Sequence, residues 1–313
     1  MEVTKQKSHL PLRQSSGSLA STIYHLPLVV IVGPTASGKT SLAIDIAQKF
    51  NGEIICADSR SIYKGADIGT AKPSQAEQAI VPHWGLDLVE PGDYFSVADF
   101  KSYADQKISD IRSRGRVPLL VGGTGLYIDA VIFDYQFGLP VDDKLRLLLQ
   151  QMTIGQLDEY CNKHNVITPE NSKNKRYLIR AIENKDSQPS RRDIPLDQTI
   201  VVGITTNKEM LRSRIIERSN QIFADGVVDE AVLLGNRYGW DSEAMKSNIY
   251  PLIHSYIDGD MSIDDVKNKF ITLDWRLAKR QLTWLRRNKF IHWLPLEDAK
   301  IYLSGRLANY RQS

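Results

Sequence analysis

The chain has 313 residues, 42% of them hydrophobic and 25% charged, an ordinary globular composition long enough for one large domain or two smaller ones at roughly 150 residues each. Forty basic side chains against thirty-seven acidic ones leave a net charge of only +3, which excludes a histone-like polycation; any nucleic-acid surface must come from local clustering of charge. Two cysteines, Cys56 and Cys161, are too few for a disulfide framework or a four-thiolate zinc site and suit a reduced, cytoplasmic protein, and no apolar run approaches the roughly 18 residues that span a bilayer.

Residues 1–25 are polar and serine-rich, with Lys5, Lys7 and Arg13 but no apolar core of a secretory signal, and they read as a disordered tail. Order begins at Leu26. Leu28-Val29-Val30-Ile31-Val32 is a short apolar run rich in β-branched residues, the pattern of a parallel strand buried on both faces. Leu42, Ile46 and Phe50 then fall at helical spacing within Thr40 to Phe50. Further buried strands are expected at Ile54–Ala57, Val117–Val121 and Thr199–Ile204. Strands alternating with helices predict an α/β fold with a parallel sheet covered on both faces.

Between the third and fourth strands the texture changes. Asp142 to Tyr160 is rich in leucine and glutamine, Lys175 to Glu183 has a second helical pattern, and Asn184 to Leu196, with Pro189 and Pro195, reads as a return linker. The expected organisation is a core of residues 26–140 and 200–313 carrying a small helical insert at 141–199. Beyond the fourth strand, helical patterns cover Glu209–Ala224, Asp229–Tyr238 and Ser262–Asn288.

Gly33-Pro34-Thr35-Ala36-Ser37-Gly38-Lys39-Thr40 matches the P-loop pattern in full and lies between an expected strand and an expected helix. Glycines let the backbone turn its N–H groups inward, the helix start adds its positive dipole end, Lys39 adds a full charge, and the Thr40 hydroxyl suits Mg²⁺. Such a loop holds a di- or triphosphate without specifying the reaction. Asp58, at the end of the second strand, is open to two roles: a Mg²⁺ ligand of a nucleotide hydrolase, or a base that accepts a proton from a nucleophile.

Further blocks follow Asp58: Asp67-Ile68-Gly69-Thr70-Ala71-Lys72-Pro73, Val121-Gly122-Gly123-Thr124-Gly125-Leu126-Tyr127 and Lys279-Arg280-Gln281-Leu282-Thr283-Trp284-Leu285-Arg286. Together with the P-loop they closely resemble the tRNA dimethylallyltransferases, from about Leu28 to Trp293. The resemblance implies a P-loop-type sheet and transfer of a dimethylallyl group, with Mg²⁺, from dimethylallyl diphosphate to the exocyclic amine of the adenine just 3′ of the anticodon. It implies a monomer working on the anticodon stem-loop of tRNA, with no membrane partner. Asp58 and Thr124 are then the catalytic pair, Gly33 to Thr40 and Arg214 hold the diphosphate, and Thr40 holds the metal. Arg218, one helical turn from Arg214, belongs to the same block. RNA contact falls to Asp58, Ser59, Arg60, Ser61, Arg176, Arg180, Lys279, Arg280, Gln281, Trp284 and Arg286. The chemistry agrees with the residues. A phosphate cradle stabilises a diphosphate leaving group, and a carboxylate relieves a weakly nucleophilic aromatic amine of its proton.

Arg276, Lys279, Arg280, Arg286, Arg287 and Lys289 form a basic run without an acid, interleaved with Trp275 and Trp284 and followed by Trp293. That is a footprint for an RNA backbone, and by composition alone equally a solvated helix face. Four positions depart from the family. Ser61 stands at a common glutamine, Tyr177 and Trp275 at common arginines, and Asn248-Ile249-Tyr250-Pro251 replaces an Ile-Gly-Tyr-Lys/Arg segment. Two other readings remain open at this level: an isopentenyltransferase acting on free AMP or ATP, and a non-catalytic P-loop protein that binds RNA. His83 reads as structural, having no evident partner.

Overall fold

The computed structural model describes residues 26–138, 142–185 and 190–310; the tail at 1–25 lies outside them. The chain runs β1 (Leu28–Val32), α1 (Lys39–Phe50), β2 (Gly52–Ala57), α2 (Gln75–Ile80), β3 (His83–Trp84), α3 (Val97–Ser113), β4 (Val117–Gly122) and α4 (Gly125–Ile132). The helices α5 (Asp143–Gln151), α6 (Ile154–Lys163) and α7 (Lys175–Glu183) follow. Then come β5 (Thr199–Thr205), α8 (Lys208–Ala224), α9 (Val227–Tyr238), α10 (Tyr250–Ile257), α11 (Ile263–Leu285), β6 (His292–Pro295) and α12 (Leu296–Tyr310).

All six strands are parallel, in the order β3-β2-β4-β1-β5-β6. The four strands expected from sequence form its centre. β3 and β6 go beyond the sequence expectation: the first is two residues long, and the second lies just past the basic aromatic run. Because successive strand residues point to opposite faces, the sheet feeds two cores. Val29, Ile31, Ile54, Cys56, Leu119 and Val202 pack under α1 and α12, while Val30, Val32, Ile55, Leu120 and Val201 pack under α3 and α4. This double coverage is why the strands carry unbroken apolar runs.

A buried carboxylate sits on β2, next to the edge strand β3. Glu53 of β2 is 1% exposed and accepts from Trp84 Nε1 (2.7 Å), Arg116 (2.8 Å) and both terminal nitrogens of Arg114. Burial by itself would raise its pKa, but these donors hold it below the usual carboxylate value.

The helices α5, α6 and α7 surround a small apolar cluster of their own, including Leu149, Leu157, Cys161, Leu178 and Ile182. The leucine-rich stretch from Asp142 is two helices, not one, because Thr153 and Gln156 close a capping box that restarts the chain at Ile154. The chain leaves the core and returns to it side by side: Gln136 and Ser190 form an antiparallel bridge, and Leu196 N donates to Ile132 O at 2.7 Å. A further cluster joins Ile62 and Tyr63 to α9, α10 and the start of α11. The proline of the altered Asn248–Pro251 segment falls in the first turn of α10, where a missing N–H costs nothing.

Candidate active site

The P-loop connects β1 to α1. Ala36 (φ 60°) and Gly38 (φ 87°) both adopt left-handed backbone, which turns successive amides toward one concavity at the N-terminus of α1. The Ser37 hydroxyl is buried there without a partner among the described residues. Lys39 Nζ donates to the Pro34 carbonyl at 3.2 Å, and loss of water pushes its pKa down to about 8, with Asp58 opposing that shift and Arg218 adding to it.

β2 and β4 end beside this loop. The Thr124 amide donates to the Ala57 carbonyl (3.3 Å), and its hydroxyl accepts from Ser59 N (3.1 Å), so the two strand ends are tied together. Asp58 Oδ1 accepts from Arg60 N at 2.8 Å, and among the described residues no group donates to Oδ2. Lys39, Thr40, Asp58 and Thr124 all line one cavity of about 430 Å³. It opens at the carboxyl ends of β1, β2 and β4, where open α/β sheets place their ligands. Cys56 and His83 form its inner wall. Burial raises the thiol to about 12, which makes it inert, and lowers the imidazole, whose Nδ1 lies 2.9 Å from the Val81 carbonyl.

Two helices close the crevice. From α8, Arg218 donates to the Thr35 hydroxyl and to the Thr70 carbonyl (3.4 Å), and it lines the cavity. Arg214, expected at the diphosphate, donates to the Ser37 carbonyl of the same loop (3.3 Å), one turn of α8 before Arg218. From α11, Gln281 Oε1 accepts from Thr35 N at 2.8 Å, and Trp284 Nε1 donates to Asp129 at 2.7 Å. A methyl at Gly125 would collide with the Trp284 indole, so glycine there lets α11 seat against α4.

Of the residues assigned to RNA, Asp58, Ser59, Arg60, Ser61, Arg280 and Gln281 line the cavity. Arg60 is held by the Glu243 carbonyl (3.1 Å), and Ser61 is buried. Lys279 and Arg280 are exposed on α11 and Arg286 just after it, as is Arg176 on α7, while Arg180 is half-exposed and paired with Glu183 (3.1 Å). Trp284 is turned inward instead. Trp275 packs with Leu211, Ile215 and Ala278 between α8 and α11, so this departure from the family serves packing.

Several residues escaped the sequence reading. Glu230 of α9 accepts from the amides of Asp67, Ile68 and Gly69 (2.7–2.8 Å) and from the Tyr250 hydroxyl (2.8 Å), fixing the loop that carries Thr70. Asp274, 4% exposed and lining the cavity, accepts from Asn248 Nδ2 at 2.9 Å. Lys246 and Ser247 complete the rim. No local pattern marks any of these.

Comparison with known proteins agrees with this geometry. The IPP transferase family model matches residues 61–288. A tRNA dimethylallyltransferase of Geobacillus thermodenitrificans is 39% identical over 286 residues, covering 87% of this chain and 91% of that one. One from Acetivibrio thermocellus is 39% identical over 288 residues, covering 87% and 92%. The crystal structure of the tRNA isopentenylpyrophosphate transferase of Bacillus halodurans aligns with a TM-score of 0.70 at 33% identity, over 91% of this chain and 98% of that one. With the phosphate loop, the two strand ends and the basic helix in one crevice, the chain belongs to the IPP transferase family, the tRNA dimethylallyltransferases.

Proposed function

We propose that the protein transfers a dimethylallyl group from dimethylallyl diphosphate to the exocyclic amine of an adenine in the anticodon loop of tRNA, releasing diphosphate. The observation that carries this reading is the shared cavity of Lys39, Asp58 and Thr124, which puts a phosphate cradle beside a carboxylate with a free oxygen. The bond between the allylic carbon and the diphosphate oxygen breaks, and its electrons stay on the diphosphate. Lys39, Arg218 and the loop amides meet that charge with groups already in place. The amine nitrogen bonds to the allylic carbon, and its proton passes to Asp58 Oδ2. Thr124, tied to Ser59, keeps the two strand ends at fixed separation, and its hydroxyl orients the bridging oxygen or the amine.

The residues fit a Mg²⁺ ion. The Thr40 hydroxyl lines the cavity at the cradle, beside the buried Ser37 hydroxyl that has no partner among the described residues. An ion held there would supply charge neutralisation at the leaving group.

The adenine must leave its stack to reach a crevice of this depth. The exposed cations of α7 and α11 suit the flanking phosphates, and no helix among the described residues is long and apolar enough to cross a membrane. The test is incubation with labelled dimethylallyl diphosphate, Mg²⁺ and either an anticodon stem-loop or AMP. Label on RNA alone supports the proposal, and label on AMP replaces it with free-nucleotide prenylation. Transfer to neither, with RNA still bound, leaves an RNA-binding protein.

A further inference from the structure

Helix α11 has two faces with different partners. Lys279 is exposed, Arg280 is exposed at the cavity rim, and Arg286 and Arg287 are exposed just past the helix end. Gln281 and Trp284, one turn apart, are half-buried against the crevice. The Gln281 acceptor is taken by the Thr35 amide, across 246 positions of sequence, while Arg218 takes the hydroxyl of the same threonine. The Gln281 amide also lies against Gly123, where any side chain would collide with it, and a methyl at 123 would come within 3.2 Å of the Gly33 carbonyl. The phosphate loop, the turn carrying Thr124 and the basic helix therefore meet at Gln281.

We propose that Gln281 is a positioning residue of the phosphate loop and not an RNA contact: it holds the Thr35 amide so that the cradle keeps its shape and its spacing from Thr124. This rests on the reading of the cradle as a diphosphate site. A loop with two left-handed residues needs outside restraint, because Ala36 gains nothing locally from φ 60°. Gln281 and Arg218 supply it from two separate helices.

Gln281→Met keeps the side-chain volume and removes the acceptor. Calorimetry with inorganic diphosphate, without RNA, is expected to show affinity weakened about five- to tenfold, with a matching rise in KM for dimethylallyl diphosphate and a smaller change in kcat. Binding of a labelled anticodon stem-loop stays within about twofold of wild type. Lys279→Ala, at the neighbouring exposed position, shows the converse: weaker stem-loop binding and unchanged diphosphate affinity. Unchanged diphosphate affinity in Gln281→Met overturns the assignment, and so does a stem-loop affinity that falls as far as the diphosphate affinity. If the melting midpoint shows that Gln281→Met is unfolded, Gln281→Asn is measured in its place, since its shorter side chain gives up the same contact while staying polar. A wild-type chain that binds no diphosphate would instead sink the functional reading itself.

Discussion

At the mouth of the crevice, Thr35, Ser59 and Thr124 are each hydrogen-bonded to a segment far away in the chain, whereas Arg176 and Lys279 stand exposed on their helices and Arg286 just past the end of α11. Where cations on the outer side have neighbours, these are soft ones: the Lys279 ammonium lies 5.3 Å from the Trp275 ring centre, and the Arg287 guanidinium 5.4 Å from that of Trp284. The two regions answer different physical demands. Charge that develops as a bond breaks is best met by dipoles that do not reorganise. A nucleic-acid backbone is a long, regular line of charge that mobile cations can follow, each contributing modestly.

The largest expected difference between the regions is at Asp58. Asp58→Ala should lower single-turnover transfer by about 10²- to 10⁴-fold while stem-loop affinity stays within a few-fold. Near-normal turnover would remove Asp58 as the proton acceptor and erase the contrast.

Lys39 sharpens the comparison through pH. Burial has moved its pKa down to about 8, so in the free protein the ammonium is present below that value and is lost as pH rises through it. Affinity for inorganic diphosphate should therefore fall above pH 8, by at most about tenfold per unit, with uptake of a proton on binding. Calorimetry in buffers of different ionisation heat measures that uptake, and Lys39→Met should lack it. Equal proton uptake by wild type and variant would place the titrating charge elsewhere.

Glu230 tests whether rigidity in the crevice is imposed from outside it. Glu230→Ala leaves three loop amides and the buried Tyr250 hydroxyl without their acceptor, and should cost about 2 kcal/mol in denaturant unfolding. A loss below about 0.5 kcal/mol would show that the loop holds itself.

The smallest effects belong to the outer face. Lys279→Ala and Arg286→Ala should each weaken stem-loop binding a few-fold and reduce the salt-dependence slope by about 1, leaving diphosphate affinity untouched. A slope unchanged in both would move the RNA path off α11.

What was legible in the sequence was local. The P-loop needs its glycines, lysine and threonine in one short run, and the strand before it is apolar because it is covered twice. The amphipathic segment Lys175 to Glu183 is a helix with those same ends. Capping pairs were also available: Ser74 with Glu77, Ser96 with Asp99 and Thr153 with Gln156 each close a box at a helix start, and the last of them marks the break in the insert. Trp275 and Pro251 looked like losses against the family pattern, yet one fills a helix–helix contact and the other begins a helix.

The sequence by itself determined that a phosphate cradle would follow a buried strand, and that an acid and a hydroxyl would each stand at the end of another; that those two strands are neighbours came from the sheet order. Backbone conformation and strand burial are decided by residues within a few positions of each other. Only the tertiary structure decided that Arg214 and Arg218 of α8 both reach the phosphate loop, that Glu230 and Asp274 belong to the frame of the crevice, and that Gln281 faces the loop instead of solvent. Those outcomes depend on how helices rotate when they pack, and contacts between residues 100 to 250 positions apart leave no periodic trace in the chain.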